Sequence, residues 1–460
     1  MMTSPQEIVE RALEHSRVDG CVVLVEEASE ANLRWANNTL TTNGVARSRS
    51  VTVISFTGGS AGTVSRQGVD THNLADLVAE SEAVARQSPP ADDRGALNGP
   101  NGSSGEWAAP PAETSIAVFS DFAPALGDSF ARASASAQLL YGFADHRMSS
   151  LFLGSSTGLR SRWDQPTGHA EINAKSSDAS RSCWVGVPTV DFADVSVPKL
   201  HEELDRRLSW ATRSVDLPAG RYDTVLPPGA VADLMIYMYW SALAKDADEG
   251  RNVFSRPGGG TRVGERLFSS PVTLRSDPDA PGLECTPFVT ASQSGTASSV
   301  FDNGAPLSPT AWISNGVLSS LVQTRYSASL TGLPYTPYID NLIMEAAETV
   351  PSGGIDRLVA GVDRGLLLTC LWYIREVDPQ TLLLTGLTRD GVYLVEDGEV
   401  TAAVNNFRFN ESPLDLLGRA SAFSSSAPTL PREWCDYFTR VSMPAVRVSD
   451  FNMSSVSQAS

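Results

Sequence analysis

The groups in this chain that could hold a metal, activate a nucleophile or move a proton stand mostly in patterns that fall short of a known site. His201-Glu202-Glu203-Leu204-Asp205 begins as a HExxH zinc helix does, but Asp205 stands where the second imidazole is required. With Arg206, Arg207 and Leu208 following, it reads as the solvated face of a charged amphipathic helix. Gly154-Ser155-Ser156-Thr157-Gly158 has GxSxG spacing, yet a nucleophile elbow needs a strand before the serine and a helix after it. The segment that follows, LRSRWDQP, is strand-like, so a Gly-Ser hairpin turn is expected. Gly258-Gly259-Gly260-Thr261-Arg262-Val263-Gly264-Glu265 has the glycines of a phosphate-cradling loop, but Glu265 replaces the lysine and would repel a phosphate. It is expected to be a flexible surface loop.

His72, His146 and His169 are isolated in sequence and are expected to be surface or hydrogen-bonded residues without a metal role, although strands could bring His146 and His169 together. The five cysteines, Cys21, Cys183, Cys285, Cys370 and Cys435, are scattered, odd in number and without a CxxC pair. They suggest buried thiols in a reducing compartment, not a disulfide framework or zinc knuckle. A thiolate nucleophile at Cys435 would need a base or a positive helix end nearby, and no histidine follows His201. The carboxylates Asp246, Asp248 and Glu249 could do acid-base work only if folding pairs them.

These groups must be positioned by 460 residues, too many for one ordinary core. Ser4 caps a first helix with apolar positions Ile8, Val9 and Leu13. CVVLVEEA, NLRWANNTL and SVTVISF then read as three strands, and 73–86 as a second helix. A tract rich in Pro, Gly, Ser and Asn from Ser88 to Pro111 reads as a mobile linker. The pattern then repeats, with a helix near 121–136, strands near 138–144, 149–154 and Cys183-Trp184, and a helix over 198–212. An apolar helix over 230–247 precedes many short strands. Between Leu371 and Val404 turn signals at Asp378-Pro379, Arg389-Asp390-Gly391 and Asp397-Gly398 predict an antiparallel meander. The expected class is α+β: an N-terminal α/β region of two related units (1–87 and 113–215, joined by a linker over 88–112), then a mostly antiparallel β domain over 216–460.

The net charge of -18 argues against nucleic acid as a partner. No run of about 18 apolar residues suggests a membrane span, and the N-terminus lacks a signal-peptide core, so a cytoplasmic location is expected.

The Leu371–Val404 segment resembles the C-terminal domain of the TldD/PmbA family. So do PGLECTPFV from Pro281, SVFDNGAPLSPTAWISNGVLSSLV from Ser299, TGLPYTPYIDNL from Thr331 and MPAVRVSDFNMSSVS from Met443, which are similar to the TldE branch. The likeness is strong over residues 220–457 and looser over 5–215. It implies a fold shared with peptidase subunits whose TldD branch carries zinc on a HExxxH helix following a Pro-Gly turn. Counted from Pro228-Gly229, the motif's first His, its Glu and its second His fall near Ile236, Tyr237 and Ser241, none of them a zinc ligand. Cys435 lies close to a cysteine that the metal-bearing branch uses as a further ligand, and without histidines it is expected to be a plain buried thiol.

The resemblance therefore implies a TldE-like subunit with no catalytic residue and no cofactor of its own. It would pair with a TldD-like subunit that holds the zinc, forming a groove for unfolded or extended peptides. Two alternatives remain open from sequence: a self-sufficient, metal-independent hydrolase using Cys435 or the Asp246, Asp248 and Glu249 cluster, and a homodimeric binding scaffold.

Overall fold

The computed structural model describes residues 3–100, 107–350 and 354–457. Helix α1 (Pro5–His15) starts where Ser4 accepts the Glu7 N–H at 3.2 Å. Strands β1 (Gly20–Ala36) and β2 (Thr39–Thr57) are joined at Asn37-Asn38, whose φ values of 51° and 58° suit a two-residue hairpin turn. β3 (Ser60–Gln67) and α2 (Leu74–Gln87) complete the first unit. The second contains α3 (Phe122–Ala135), β4 (Gln138–Ser155), β5 (Arg160–Ser176), β6 (Ser182–Thr189) and α4 (Val197–Trp210).

The two units fuse into one sheet of order β3-β2-β1-β4-β5-β6, with β1 antiparallel to β4 at the seam. CVVLVEEA and NLRWANNTL, read as separate strands, are one continuous β1, and the predicted 138–144 and 149–154 strands are one β4. Their polar middles look like breaks by hydropathy, but each residue of the seam has a ladder partner on the other strand.

Side-chain alternation gives the sheet two different faces. Val23, Val25, Ala31, Leu33 and Trp35 of β1 point to the four helices, in cores that include Ile8, Leu77, Phe122 and Leu204. Val22 and Leu24 point the other way, to Phe288, Val300 and Phe301 of the C-terminal region. Of the tract read as a mobile linker, 101–106 lie outside the described residues. Around them, Ala91 N–H donates to Gly59 O at 2.9 Å, and Asn98 Nδ2 donates to Asp302 O and Asn303 O at 3.0 and 2.8 Å. These bonds tie the flanks to both halves of the protein.

In the C-terminal region ten strands form a sheet whose main path runs Leu371–Asp378, Leu383–Thr388, Phe407–Glu411, Val446–Val456, Gly220–Leu226, Arg364–Leu368, Val392–Glu396, Glu399–Val404 and Ser214–Val215. The predicted meander is thus two hairpins, 371–388 and 392–404, separated by strands from elsewhere in the chain. Arg364–Leu368 and Leu371–Asp378 stand five strands apart, about 24 Å across a flat sheet. Only Thr369 and Cys370 connect them, a reach of about 11 Å. The sheet must therefore curl on itself, and Leu366, Leu368, Leu371 and Ile374 accordingly share one core. A smaller six-stranded sheet packs alongside.

Inside the curl lies α5 (Pro228–Trp240), apolar all round except at Asp233 and buried along most of its length, as a central helix must be. The single helix predicted over 230–247 is broken, and α6 (Ala244–Asp248) is separate. Leu243 forms a bridge with Val322, and Asn252 Nδ2 donates to Ser241 O and Leu243 O at 3.0 and 3.3 Å. These contacts take the backbone groups that would have continued α5. Among the described residues no helix is long and apolar enough to cross a membrane.

The packing of α2 on β3 leaves no room at Gly62, where an added Cβ would lie 2.2 Å from Ala85 N and 2.3 Å from Ser81 O. Gly62→Ala should destabilise the protein by about 1–3 kcal/mol, read as a lowered Tm in thermal unfolding. A variant with unchanged Tm would show that α2 is not seated there.

Candidate functional site: a cleft between the N-terminal sheet and the C-terminal domain

The site is organised from α5 outward. Asp233 is fully buried on this helix, and its Oδ1 accepts the Glu433 N–H at 2.9 Å while its carbonyl accepts Trp434 Nε1 at 2.8 Å. Glu433 in turn accepts the backbone N–H groups of Tyr373 and Ile374, both at 3.0 Å. Trp434 packs against Tyr237 and Trp240 of α5, with ring centroids 5.9 and 5.0 Å apart. Tyr239 stacks on Tyr338 and meets Phe438 at 6.1 Å. The helix thus fixes the 432–438 segment from both sides, and with it Cys435. Burial pushes the Asp233 carboxyl well above the usual carboxylate range.

Ile236, Tyr237 and Ser241, the residues at the expected motif positions, offer no clustered ligand set. Ile236 is fully buried in the core, Tyr237 packs on Trp434, and Ser241 Oγ donates back to Tyr237 O at 3.0 Å.

Cys435 opens onto a cleft of about 840 Å³. Its other wall is the helix-free face of the sheet, presenting Glu26, Glu30 and Arg34 from β1, Asp145 and Arg147 from β4, and Thr167 and His169 from β5. On the C-terminal side stand Asp340, Arg440 and Tyr437, the last 76% exposed. Arg440 pairs with Asp340 and donates to Thr167 Oγ1 at 3.1 Å, which links the two walls.

Among the described residues one group of three potential metal ligands converges here: His169, Glu171 and Cys435, with ligand atoms all within 4.8 Å of one another. β4 and β5 pair Asp145 with His169, so both side chains share the cleft face, and His169 Nδ1 lies 2.7 Å from Asp145 Oδ1. His169 Nε2 is buried, has no hydrogen-bond partner and points toward Glu171 Oε1 at 3.6 Å. Glu171 Oε2 is held by Trp184 Nε1 at 2.9 Å and Arg432 Nη1 at 2.8 Å, and Oε1 lies 4.0 Å from Cys435 Sγ. The Arg432 guanidinium lies 4.2 Å over the Trp372 ring and 5.0 Å over Trp184.

Burial alone would lower the His169 imidazole, but the adjacent Asp145 and Glu171 carboxylates outweigh this and raise it to about 9. Burial opposes ionisation of Glu171, and His169 and Arg432 overcome it, holding the carboxyl below its usual range. Burial, followed by the Glu171 charge, pushes the Cys435 thiol up to about 12.

The structure does not bring His146 and His169 together. His146 pairs in register with Gly168 and so faces the helices, where Thr114 Oγ1 and Val190 O engage its ring nitrogens at 2.7 and 2.8 Å. His201 is not on a solvated face: with Val197, Leu204 and Leu208 it forms the buried stripe of α4 and bonds Ser129. Gly154–Gly158 is the β4–β5 turn. Asp246 and Glu249 both pair with Arg251, and Lys245 binds Glu249 at 2.7 Å. Glu265, in the glycine-rich loop, pairs with Arg256 and Arg262. Sequence reasoning missed Glu171, Asp145 and Arg432; the available signal was the alternation His169, Glu171 on one strand face.

The domain models of PmbA/TldA metallopeptidases match the chain over residues 219–455, the C-terminal domain, and 21–85, domain 1. The chain belongs to the PmbA/TldD metallopeptidase family. Within it the fold is TldE-like: TldE from Thermococcus kodakarensis superposes with a TM-score of 0.78 at 16% identity, covering 97% of this chain and 99% of that one. A Thermotoga maritima protein described as a candidate modulator of a DNA gyrase gives 0.77 at 17% identity, covering 97% and 99%. A Bacteroides thetaiotaomicron protein with a similar description gives 0.73 at 14%, covering 99% and 100%. No curated protein matches the chain.

Because the folded Asp233 carboxyl is raised, its contribution to stability is complete below the ordinary carboxyl pKa and is lost as pH rises through the folded value. Asp233→Asn keeps an acceptor for Glu433 N–H and carries no charge. Its Tm relative to the parent should therefore climb between about pH 5 and about pH 9. Asp233→Ala should cost about 2–3 kcal/mol at the lower pH. A Tm difference for the Asn variant that stays flat across this range would contradict the buried acid.

Proposed function

We propose that this chain is the non-catalytic subunit of a two-chain cytoplasmic metallopeptidase. It would pair with a TldD-like subunit that holds the catalytic zinc, and its cleft would help bind unfolded or extended peptide for proteolysis or peptide maturation. The observation that carries this reading is α5. The family fold is retained around it, yet Ile236, Tyr237 and Ser241 stand where zinc ligands and a base would be needed, and no histidine follows His201. On this reading α5 serves as a packing element, which leaves binding and shape as the contribution of this domain. The cleft has the mixed charge and the exposed aromatic, Tyr437, that suit peptides of varied sequence.

The juxtaposition of Asp145, His169 and Cys435 favours a second reading, a thiol hydrolase. A nucleophilic cysteine needs a lowered thiol pKa, whereas here burial and the neighbouring Glu171 carboxylate raise it. That chemistry opposes metal-free thiol catalysis.

Co-expression with a TldD-like chain from the same source tests the proposal. Cleavage of an unfolded peptide should require both chains and should disappear when the partner's motif histidines are replaced. Tyr437→Ala should lower kcat/KM of the pair about tenfold. Hydrolysis by this chain alone would overturn the assignment.

A further inference from the structure

We propose that His169, Glu171 and Cys435 form a binding site for a divalent cation of the zinc class, set in the wall of the cleft and separate from α5. This departs from the expectation that the histidines and Cys435 have no metal role, and it stands independently of whether a partner supplies the catalytic zinc.

Three features are those of a built site. First, each donor atom is oriented by a different group behind it. Asp145 Oδ1 stands 2.7 Å from Nδ1 of His169, on the side of the ring away from Nε2; Trp184 and Arg432 occupy Oε2 of Glu171 and leave Oε1 forward; the clamp between Asp233 and Glu433 sets the segment that presents Sγ. A carboxylate behind a histidine is the usual support of a metal-bound imidazole, fixing ring orientation and raising its basicity. Second, His169 is 5% exposed and its Nε2 has no hydrogen-bond partner, a cost that a metal bond would remove. Third, His169 and Cys435 line the cleft, so a cation on the three atoms can be reached from solvent and would keep a coordination position facing the open space.

The spacing and charge also fit. Tetrahedral zinc with bonds of about 2.0–2.3 Å requires ligand atoms about 3.3–3.7 Å apart. The Nε2–Oε1 and Oε1–Sγ separations are 3.6 and 4.0 Å and all three atoms lie within 4.8 Å of one another, so the three side chains must draw together on the ion to close the set. A mixed imidazole, carboxylate and thiolate set selects zinc or cobalt over magnesium or calcium, which prefer oxygen alone. Asp145, Glu171 and a Cys435 thiolate balance the charges of Arg432 and a dication. The donors come from β5 of the N-terminal sheet and from the C-terminal domain, so a bound cation would also fasten the two cleft walls together.

The test uses cobalt(II) as an optical probe and zinc as its competitor, on the intact chain. The parent should bind about one equivalent, showing a thiolate-to-cobalt charge-transfer band and the visible bands of a four-coordinate site, both removed by zinc. Cys435→Ser should abolish the charge-transfer band, and Cys370→Ala should retain it. Asp145→Asn should weaken cobalt binding about 10–100-fold without removing the band at saturation. Thermal unfolding of each metal-free variant verifies folding, and Glu171→Gln, expected to weaken binding at least about tenfold, replaces any variant that does not fold. A folded parent without the band, or a band of parental intensity in Cys435→Ser, would overturn the proposal. Peptide hydrolysis is a separate readout, so failure of the metal site and failure of the subunit assignment are distinguishable.

Discussion

One buried interaction governs the rest of this molecule: the Asp233 carboxyl on α5 receiving the Glu433 N–H at 2.9 Å. A buried acid is costly unless its oxygens find donors, and Oδ2 of Asp233 has none, so movement of the 432–434 backbone away from α5 would leave Oδ1 unsatisfied as well. Glu433 then reaches the N–H groups of Tyr373 and Ile374, which ties the same segment to an edge of the curled sheet. Trp434 fills the gap beside Tyr237 and Trp240. Cys435 follows directly, so its position is dictated by the groups that hold residues 432–434.

The N-terminal sheet imposes the complementary constraint. Its helices cover a single face, and strand alternation therefore delivers Asp145, Thr167, His169 and Glu171 together to the other. The cleft exists because that face meets the C-terminal domain at Phe288, Val300 and Phe301 while remaining polar further along the strands. In this PmbA/TldD-family fold α5 is buried among apolar and aromatic side chains, and the polar groups gather in the cleft beside it.

Local structure was largely legible in the sequence. The first helix with its Ser4 cap, the helices near 73–86, 121–136 and 198–212, and the doubled order of elements all follow from periodicity and turn chemistry. Continuity of β1 and β4 was not, because their polar centres are stabilised by a neighbour far along the chain. The curl of the large sheet was hidden for the same reason: Thr369-Cys370 looks like an ordinary turn until the strands between its two sides are known. His201 looked solvated because its neighbours are charged, although its spacing to Leu204 and Leu208 places it on the buried stripe. At the site, the sequence drew attention to Cys435 and read it as a buried thiol, which it is. It could not reveal that Glu171, which lies 264 positions away, approaches the sulfur at 4.0 Å.

The most direct measurement of the central claim is anomalous scattering at the zinc edge from crystals of this chain grown with zinc and a TldD-like chain as the proposed partner. The account predicts two peaks per pair, one on the partner's motif helix and one among His169 Nε2, Glu171 Oε1 and Cys435 Sγ. Absence of the peak between those three side chains, or absence of zinc from the partner's helix, would contradict it.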